Sequence, residues 1–160
     1  MAFKIEVTGL DELLTKMGKL PEKAADVAAL ALYEGAAVMA DAISQAVQGI
    51  ATEKFHYAKG GRQRLPSPEE KALLVNAKKG VAKFHKNVMQ VDTSVGLQKA
   101  GYGTINGKTK PIPLVANSIN SGTSFMKKQP FFRKAKAKSG AATAAIERGI
   151  ESRLDMLSLD

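Results

Sequence analysis

Catalysis needs nucleophiles, acids, bases or metal ligands at workable spacing, and this 160-residue chain offers few of them. Its two histidines, His56 and His85, stand far apart, each beside lysine and aromatic residues. Neither belongs to a His-x-x-x-His pair, the spacing that puts two imidazoles on one helix face for zinc, so both are expected at the surface. The middle of the chain holds three acids, Glu69, Glu70 and Asp92. A magnesium-dependent nuclease would need more carboxylates than that, supplied from the terminal helices. There is no cysteine, which excludes thiolate nucleophiles, disulfides and thiolate metal sites, and no Gly-x-Ser-x-Gly elbow is present. The glycines of Gly101-Tyr-Gly-Thr-Ile-Asn-Gly107 are spaced superficially like a phosphate loop, but no helix signal follows them, and the segment is expected to be a flexible loop. The expectation is a protein without enzymatic activity, cofactor or metal.

The elements that would position any site follow from periodicity. Phe3, Ile5 and Val7 alternate with Lys4, Glu6 and Thr8, which predicts a half-buried strand ended by Gly9. Leu10, Leu13, Leu14, Met17 and Leu20 then trace one face of a short helix. Pro21 fits the first turn of a long helix to about Gln48, roughly 40 Å at 1.5 Å per residue. Its expected apolar face is Val27, Leu30, Ala31, Ala37 and Val38, continued by Ala42 and Val47. Gly35 costs about 1 kcal/mol against alanine in a helix interior, so it marks either a close approach by a neighbour or a mild kink.

Gly49 closes that helix, and residues 50–87 read as an irregular basic insertion. It contains a short helix from Pro68 or Glu69 to about Lys79, with Ala72, Leu73 and Val75 apolar and Gly80 as the stop. Met89, Val91, Thr93, Val95 and Leu97 give the strongest strand signal. Ile112 to Val115 is expected at a sheet edge or in a loop because of its prolines. From Ser139 a last helix is expected with Ala142, Ala145, Ile146, Ile150, Leu154 and Leu157 inward, and with residues 147–151 and Arg153 on the solvated side. The sum is one α+β domain over 1–160: a small, mostly antiparallel sheet packed by a long helix and a C-terminal helix.

Net charge is +9 and unevenly placed: −4 over residues 1–53, then eighteen Lys/Arg against three acids over 54–138, and −2 over 139–160. Such a block can meet nucleic acid, an acidic protein ring or a membrane surface. The aromatics are not interleaved with the cations in the pattern that stacks bases. The longest apolar-leaning run, Val27 to Val47, is mostly alanine and interrupted by Glu34 and Asp41, and the N-terminus lacks a signal-peptide pattern. A soluble, unprocessed protein of a reducing cytoplasm is expected.

The most distinctive stretch runs from Asn117 to Ala135: a Gly122-Thr123 pair, a spacer, then Pro130-Phe131-Phe132-Arg133-x-Ala135 before the last helix. This resembles the signature of the tail-component family of long-tailed phages, whose members join or complete the tail at the head-to-tail junction. The opening Phe3 to Leu14, a strand, a Gly-Leu turn and a helix, is similar to the family's start. The family's Pro-x-x-Thr-Gly-x-Leu-Arg turn is not intact; Thr52 stands nearest, and the basic insertion takes its place.

The resemblance implies a virion structural protein of the neck, a tail-completion, tail-terminator or head-tail joining component assembled in the host cytoplasm. It implies that the protein partners itself in a ring of about six copies, together with the connector and tail-tube proteins, and no membrane. Candidate subunit-interface residues are Gly122, Thr123, Pro130, Phe131, Phe132 and Arg133. The Phe pair is either an anchor in a neighbouring subunit or a pair pointing to opposite faces of an extended piece, one into the core. Arg133 is either in an ion pair or in solvent. Lys54, Lys59, Arg62, Arg64, Lys78, Lys79, Lys83 and Lys86 are candidate contacts to an acidic partner ring or to packaged DNA. The other reading of that block is a nucleic-acid-binding protein without sequence preference.

Overall fold

A polar-apolar alternation is visible in both long strands of the computed structural model, which describes residues 2–7, 12, 15, 21–54, 61–79, 85–86, 91–98 and 100–157. In β1, Ala2–Val7, Lys4 and Glu6 are exposed and Phe3, Ile5 and Val7 half-buried. β2 is the short His85–Lys86, and β3 is Val91–Gly96, with Val91, Thr93 and Val95 buried between half-buried Asp92 and Ser94. β3 is the centre of a sheet ordered β1-β3-β2. It pairs antiparallel with β2, His85 opposite Asp92 and Lys86 opposite Val91. Lys4 Nζ lies 2.6 Å from Glu6 and 3.6 Å from Asp92, and the carboxylates, Glu6 first, raise its pKa above the ordinary lysine value.

The expected long helix is present as α1, Pro21–Gln48. Its buried face differs from the expected one: Leu30 is 55% exposed and Ala37 is exposed, while Ala24, Ala28, Leu32, Ala36 and Ile43 join Val27, Ala31, Ala42 and Val47 inside. The alanines decide this, because a face of small side chains can be covered closely. Leu32 and Ile43 turn inward with that alanine face, and Leu30, on the other side of the helix, is left outside.

The described residues group into two compact units. The sheet unit comprises Phe3–Met39, Val81–Val95 and Lys138–Asp160. Here Ala24, Ala25, Ala28, Leu32 and Val91 form a core against which Ile5, Val7, Ile150 and Leu154 pack. The last two come from α5, Ser139–Leu157, which follows α4, described below. Gly35 settles as a close approach: a Cβ there would lie 2.5 Å from Ile146 Cγ1 and 3.1 Å from the Ala142 carbonyl. One Cβ on Gly149 would meet Glu34 and Ala31 at 2.5 and 3.1 Å. Gly149 is therefore buried inside the stretch expected to be solvated, and Arg153 is only partly exposed, donating to Glu34 at 2.7 Å and to the Gly149 carbonyl at 2.7 Å.

The hairpin unit comprises Met1–Ala2, Ala40–Gly80 and Gly96–Ala137. It holds α2, Pro68–Asn76, then β4, Tyr102–Ile105, and β5, Lys108–Pro111, then α3, Ile112–Ser121, and α4, Phe131–Lys136. Two expectations are corrected here. Residues 101–107 are not a flexible loop: β4 and β5 pair antiparallel from Tyr102↔Pro111 to Ile105↔Lys108. Asn106 and Gly107, at φ 50 and 72, make the two-residue turn whose twist suits a hairpin.

Ile112 to Val115 is the start of a helix, because Pro113 falls in the first turn, where a missing N–H costs nothing. α2 ends at Asn76 rather than Lys79. It packs on β4 and α3, with Leu73 of α2 filling the space above Gly103 that a side chain would occupy. The α+β class holds, with small antiparallel sheets.

Candidate functional site

The segment that carries the sequence signature begins where α3 stops. Gly122 caps the helix at φ 78 and ψ 170, its N–H donating to the Ser118 carbonyl at 2.9 Å. That backbone region is close to glycine-only, and a Cβ would sit 3.0 Å from the Lys128 side chain. Thr123 then folds the chain on itself. Its Oγ1 accepts from Met126 N at 3.0 Å and Phe125 N at 3.4 Å, and its N–H donates to the Met126 carbonyl at 2.9 Å. The hydroxyl is thus spent on local backbone, as threonine in turns commonly is.

The same loop is laced to the insertion. Arg64 N donates to the Phe125 carbonyl at 2.9 Å and Lys127 N to the Arg64 carbonyl at 2.8 Å, a short parallel bridge. Gln63 Nε2 donates to the Thr123 carbonyl at 2.7 Å. Gln129 clamps Ala51 from both sides of its peptide, accepting from the N–H at 2.9 Å and donating to the carbonyl at 2.7 Å. Met126 is buried, and Phe125 between these anchors is 53% exposed. Sequence reasoning missed Phe125, although its position between Gly122-Thr123 and the Lys127-Lys128 pair was a usable signal.

At the far end Pro130 stands at the N-cap of α4. Phe131 and Phe132 therefore lie in a helix and not in an extended piece, a correction that follows from proline preceding a helix start. Phe131 is 2% exposed and belongs to its own chain's core. Phe132 is half-buried, edge-on to it with centroids 6.1 Å apart, and its N–H donates to Asn120 at 3.0 Å. Arg133 is exposed, Ala135 buried. Of the six interface candidates, Arg133 alone is classed as exposed; the others build the scaffold under it.

The cationic candidates divide sharply. Lys54, Arg62 and Lys78 are exposed. Lys79 is half-buried, donating to the Val75 carbonyl at 2.7 Å, and burial pushes its pKa below the ordinary lysine value. Lys59 and Lys83 lie outside the described residues, and Lys86 is placed by its backbone in β2.

Arg64 is not a surface contact at all. It is buried and paired with Glu70 through two bonds of 2.7 and 2.8 Å. Glu70 also accepts from Ser67 N at 2.8 Å while Ser67 Oγ accepts from Glu70 N at 3.1 Å, the capping box of α2. Burial by itself pushes the Glu70 carboxyl up; the Arg64 guanidinium and the Ser67 N–H outweigh it and hold the pKa below the usual carboxylate value. Among exposed cations that sequence reasoning left out, Lys127, Lys128 and Lys134 lie on the signature segment, Lys136 just past it, and Lys108 and Lys110 in β5.

The residues for other chemistry do not converge. Among the described residues, no group of three or more His, Asp or Glu side chains could hold a metal ion. Gly107-Lys108-Thr109 has the closing residues of a phosphate loop, but Tyr102 stands where such a loop has its first glycine, and a strand follows instead of a helix. An open groove of about 670 Å³ between α2 and β4 is walled by Leu73, Ala77, Tyr102 and Ile112, with Glu69 and Lys78 among its polar residues. No protein-family model matches the chain, and neither curated proteins nor solved structures give a significant match.

Proposed function

We propose that this chain is a structural protein of a phage virion neck, which joins or completes the tail at the head-to-tail junction through ring-forming contacts between subunits. The observation that carries the reading is the Gly122 to Ala135 segment, with its Gly-Thr and Pro-Phe-Phe-Arg-x-Ala residues. Its Thr123 and Gln129 side chains hold backbone in place, and Gln63 of the insertion holds the Thr123 carbonyl. What it offers outward is an aromatic ring, Phe125, and cations. Aromatic and arginine side chains on a rigid frame suit a protein interface, where they dominate binding. No nucleophile, acid pair or metal cluster competes with that use of the segment. Electron microscopy of tailed particles assembled with and without the chain tests the role. Heads and tails that fail to join when it is omitted support the proposal, and fully joined particles reject it.

A second reading rests on the exposed cations of the hairpin unit, whose formal charge is +11 from fifteen Lys/Arg and four acids. They suit phosphate contacts without base reading. A salt titration separates the two. A free nucleic-acid binder making six to ten phosphate contacts loses roughly 10³- to 10⁵-fold in affinity between 50 and 200 mM salt, whereas a neck protein shows negligible duplex binding at physiological salt.

A further inference from the structure

The β4–β5 hairpin has two outer edges, and their residues differ in kind. β5, Lys-Thr-Lys-Pro, carries two exposed lysines and a proline that has no N–H to offer, the devices that keep stray strands off an edge. β4, Tyr-Gly-Thr-Ile, carries no charge and no proline. Among the described residues, β4 pairs with β5 alone.

The register fixes which β4 groups face outward. Beside a two-residue turn the first pair, here Ile105 and Lys108, exchanges hydrogen bonds, and bonded and non-bonded pairs alternate from there. Gly103 therefore bonds to Lys110, and the alternation continues past the hairpin's end, where Ile112 N donates to the Gly101 carbonyl at 2.9 Å. The N–H and C=O groups of Tyr102 and Thr104 are left pointing away from β5.

That edge is where the groove of about 670 Å³ lies. Side chains alternate along a strand, so those of Tyr102 and Thr104 are on the face of β4 opposite Gly103, whereas Leu73 of α2 covers the Gly103 face. A groove lined by Leu73 together with Tyr102 and Thr104 runs along the rim between the two faces, beside the outward-pointing backbone. Its walls include the apolar Leu73, Ala77 and Ile112, and its two charged residues, both exposed, are opposite in sign. Glu69 stands in the first turn of α2 and Lys78 just beyond its end. From Glu69 to Asn76 the helix rises roughly 10 Å at 1.5 Å per residue, a span that three or four extended residues cover at about 3.3 Å each.

We infer that the edge of β4 and the flank of α2 form a strand-addition site for an extended segment of a partner protein. The segment is apolar at its centre, with a cation at the Glu69 end and an acid at the Lys78 end. Backbone donors and acceptors along a rim select an extended main chain over a helix or an acyl chain, and the space beside them selects its side chains. The charges at the two ends set its direction. No ring is needed, so this site and the neck reading stand or fall separately.

Random heptapeptides are selected on the purified full chain, and the recovered sequences are resynthesised and titrated against it by fluorescence polarisation. The expected peptides alternate apolar and polar residues between one cation and one acid, and their binding slows amide hydrogen exchange at Tyr102 and Thr104. Methylating a peptide nitrogen that pairs with β4 is expected to weaken binding about tenfold, the scale of one lost hydrogen bond. Thr104→Pro, which deletes an outward N–H without removing a bond to β5, should do the same, and Thr104→Ala, which keeps that N–H, should not. The methylated peptide leaves the protein unaltered, so it decides the matter if the proline variant fails to fold. Selection of no peptide, binding indifferent to methylation, or exchange protection elsewhere in the chain would overturn the site. Protection at Tyr102 and Thr104 that rises with protein concentration in the absence of peptide would overturn the choice of a partner protein in favour of a second copy.

Discussion

Glu70 illustrates how much of the hairpin unit hangs on single side chains. It closes the capping box with Ser67 and takes both arms of the buried Arg64 guanidinium, while Arg64 backbone holds the Phe125 loop. Breaking a buried pair by removing one charge costs about 3–5 kcal/mol, so Glu70→Gln is expected to lower stability by that order in urea unfolding. The pair also predicts a pH effect of definite sign. The folded-state pKa of Glu70 is depressed, so its contribution is fully present above the unfolded value near 4.3 and is lost as pH falls through the folded pKa. Stability curves of wild type and Glu70→Gln should therefore converge in acid and separate above about pH 4.3; parallel curves would contradict the assignment. Gly122→Ala is a second residue-scale prediction. With φ at 78 and Lys128 in the way of a Cβ, it should destabilise by about 1–3 kcal/mol, measured by thermal melting, and a neutral result would mean the cap is not needed.

At the scale of elements, two glycines of one fold separate opposite effects. Gly35→Ala improves helix propensity by about 1 kcal/mol but drives a methyl into Ile146 and the Ala142 carbonyl, and overpacking of this kind costs about 1–3 kcal/mol. The net expectation is destabilisation. Gly140, in the first turn of α5 with nothing within 4 Å, should gain about 0.4–1 kcal/mol on replacement by alanine. Chemical denaturation of both variants checks the pair.

The elements read correctly from sequence are those whose periodicity is long and whose ends carry a proline or glycine, α1 above all. The hairpin is hard to read because its strands are four residues each, β4 holding a glycine and β5 two lysines and a proline, which leaves the Asn106-Gly107 dipeptide as the main signal. α3 is hard to read because a proline such as Pro113 limits a sheet strand as readily as it starts a helix, and here it sits in the helix's first turn. Burial was harder to read than element type: Leu30 outside, and Arg64 inside, are set by packing and by Glu70, neither of which composition displays.

For the whole molecule the governing fact is the division of charge, +11 on one compact unit and −2 on the other. The sequence showed a basic middle, but the fold was needed to show that residues 96–137 and 40–80 share a unit, with exposed cations both on the signature segment and at Lys54, Arg62, Lys78, Lys108 and Lys110. Leu30 and Tyr33 are exposed on one unit, and Tyr102 and Phe125 on the other. Interfaces of opposite charge form faster and weaken with salt, so assembly should decline as ionic strength rises. The central claim, that the chain works as a ring of identical subunits, is tested most directly by native mass spectrometry of the purified protein across concentration. A single closed species, with six copies as the expected number, is the predicted result; a monomer at every concentration, or an open-ended series of oligomers with no preferred size, would contradict it.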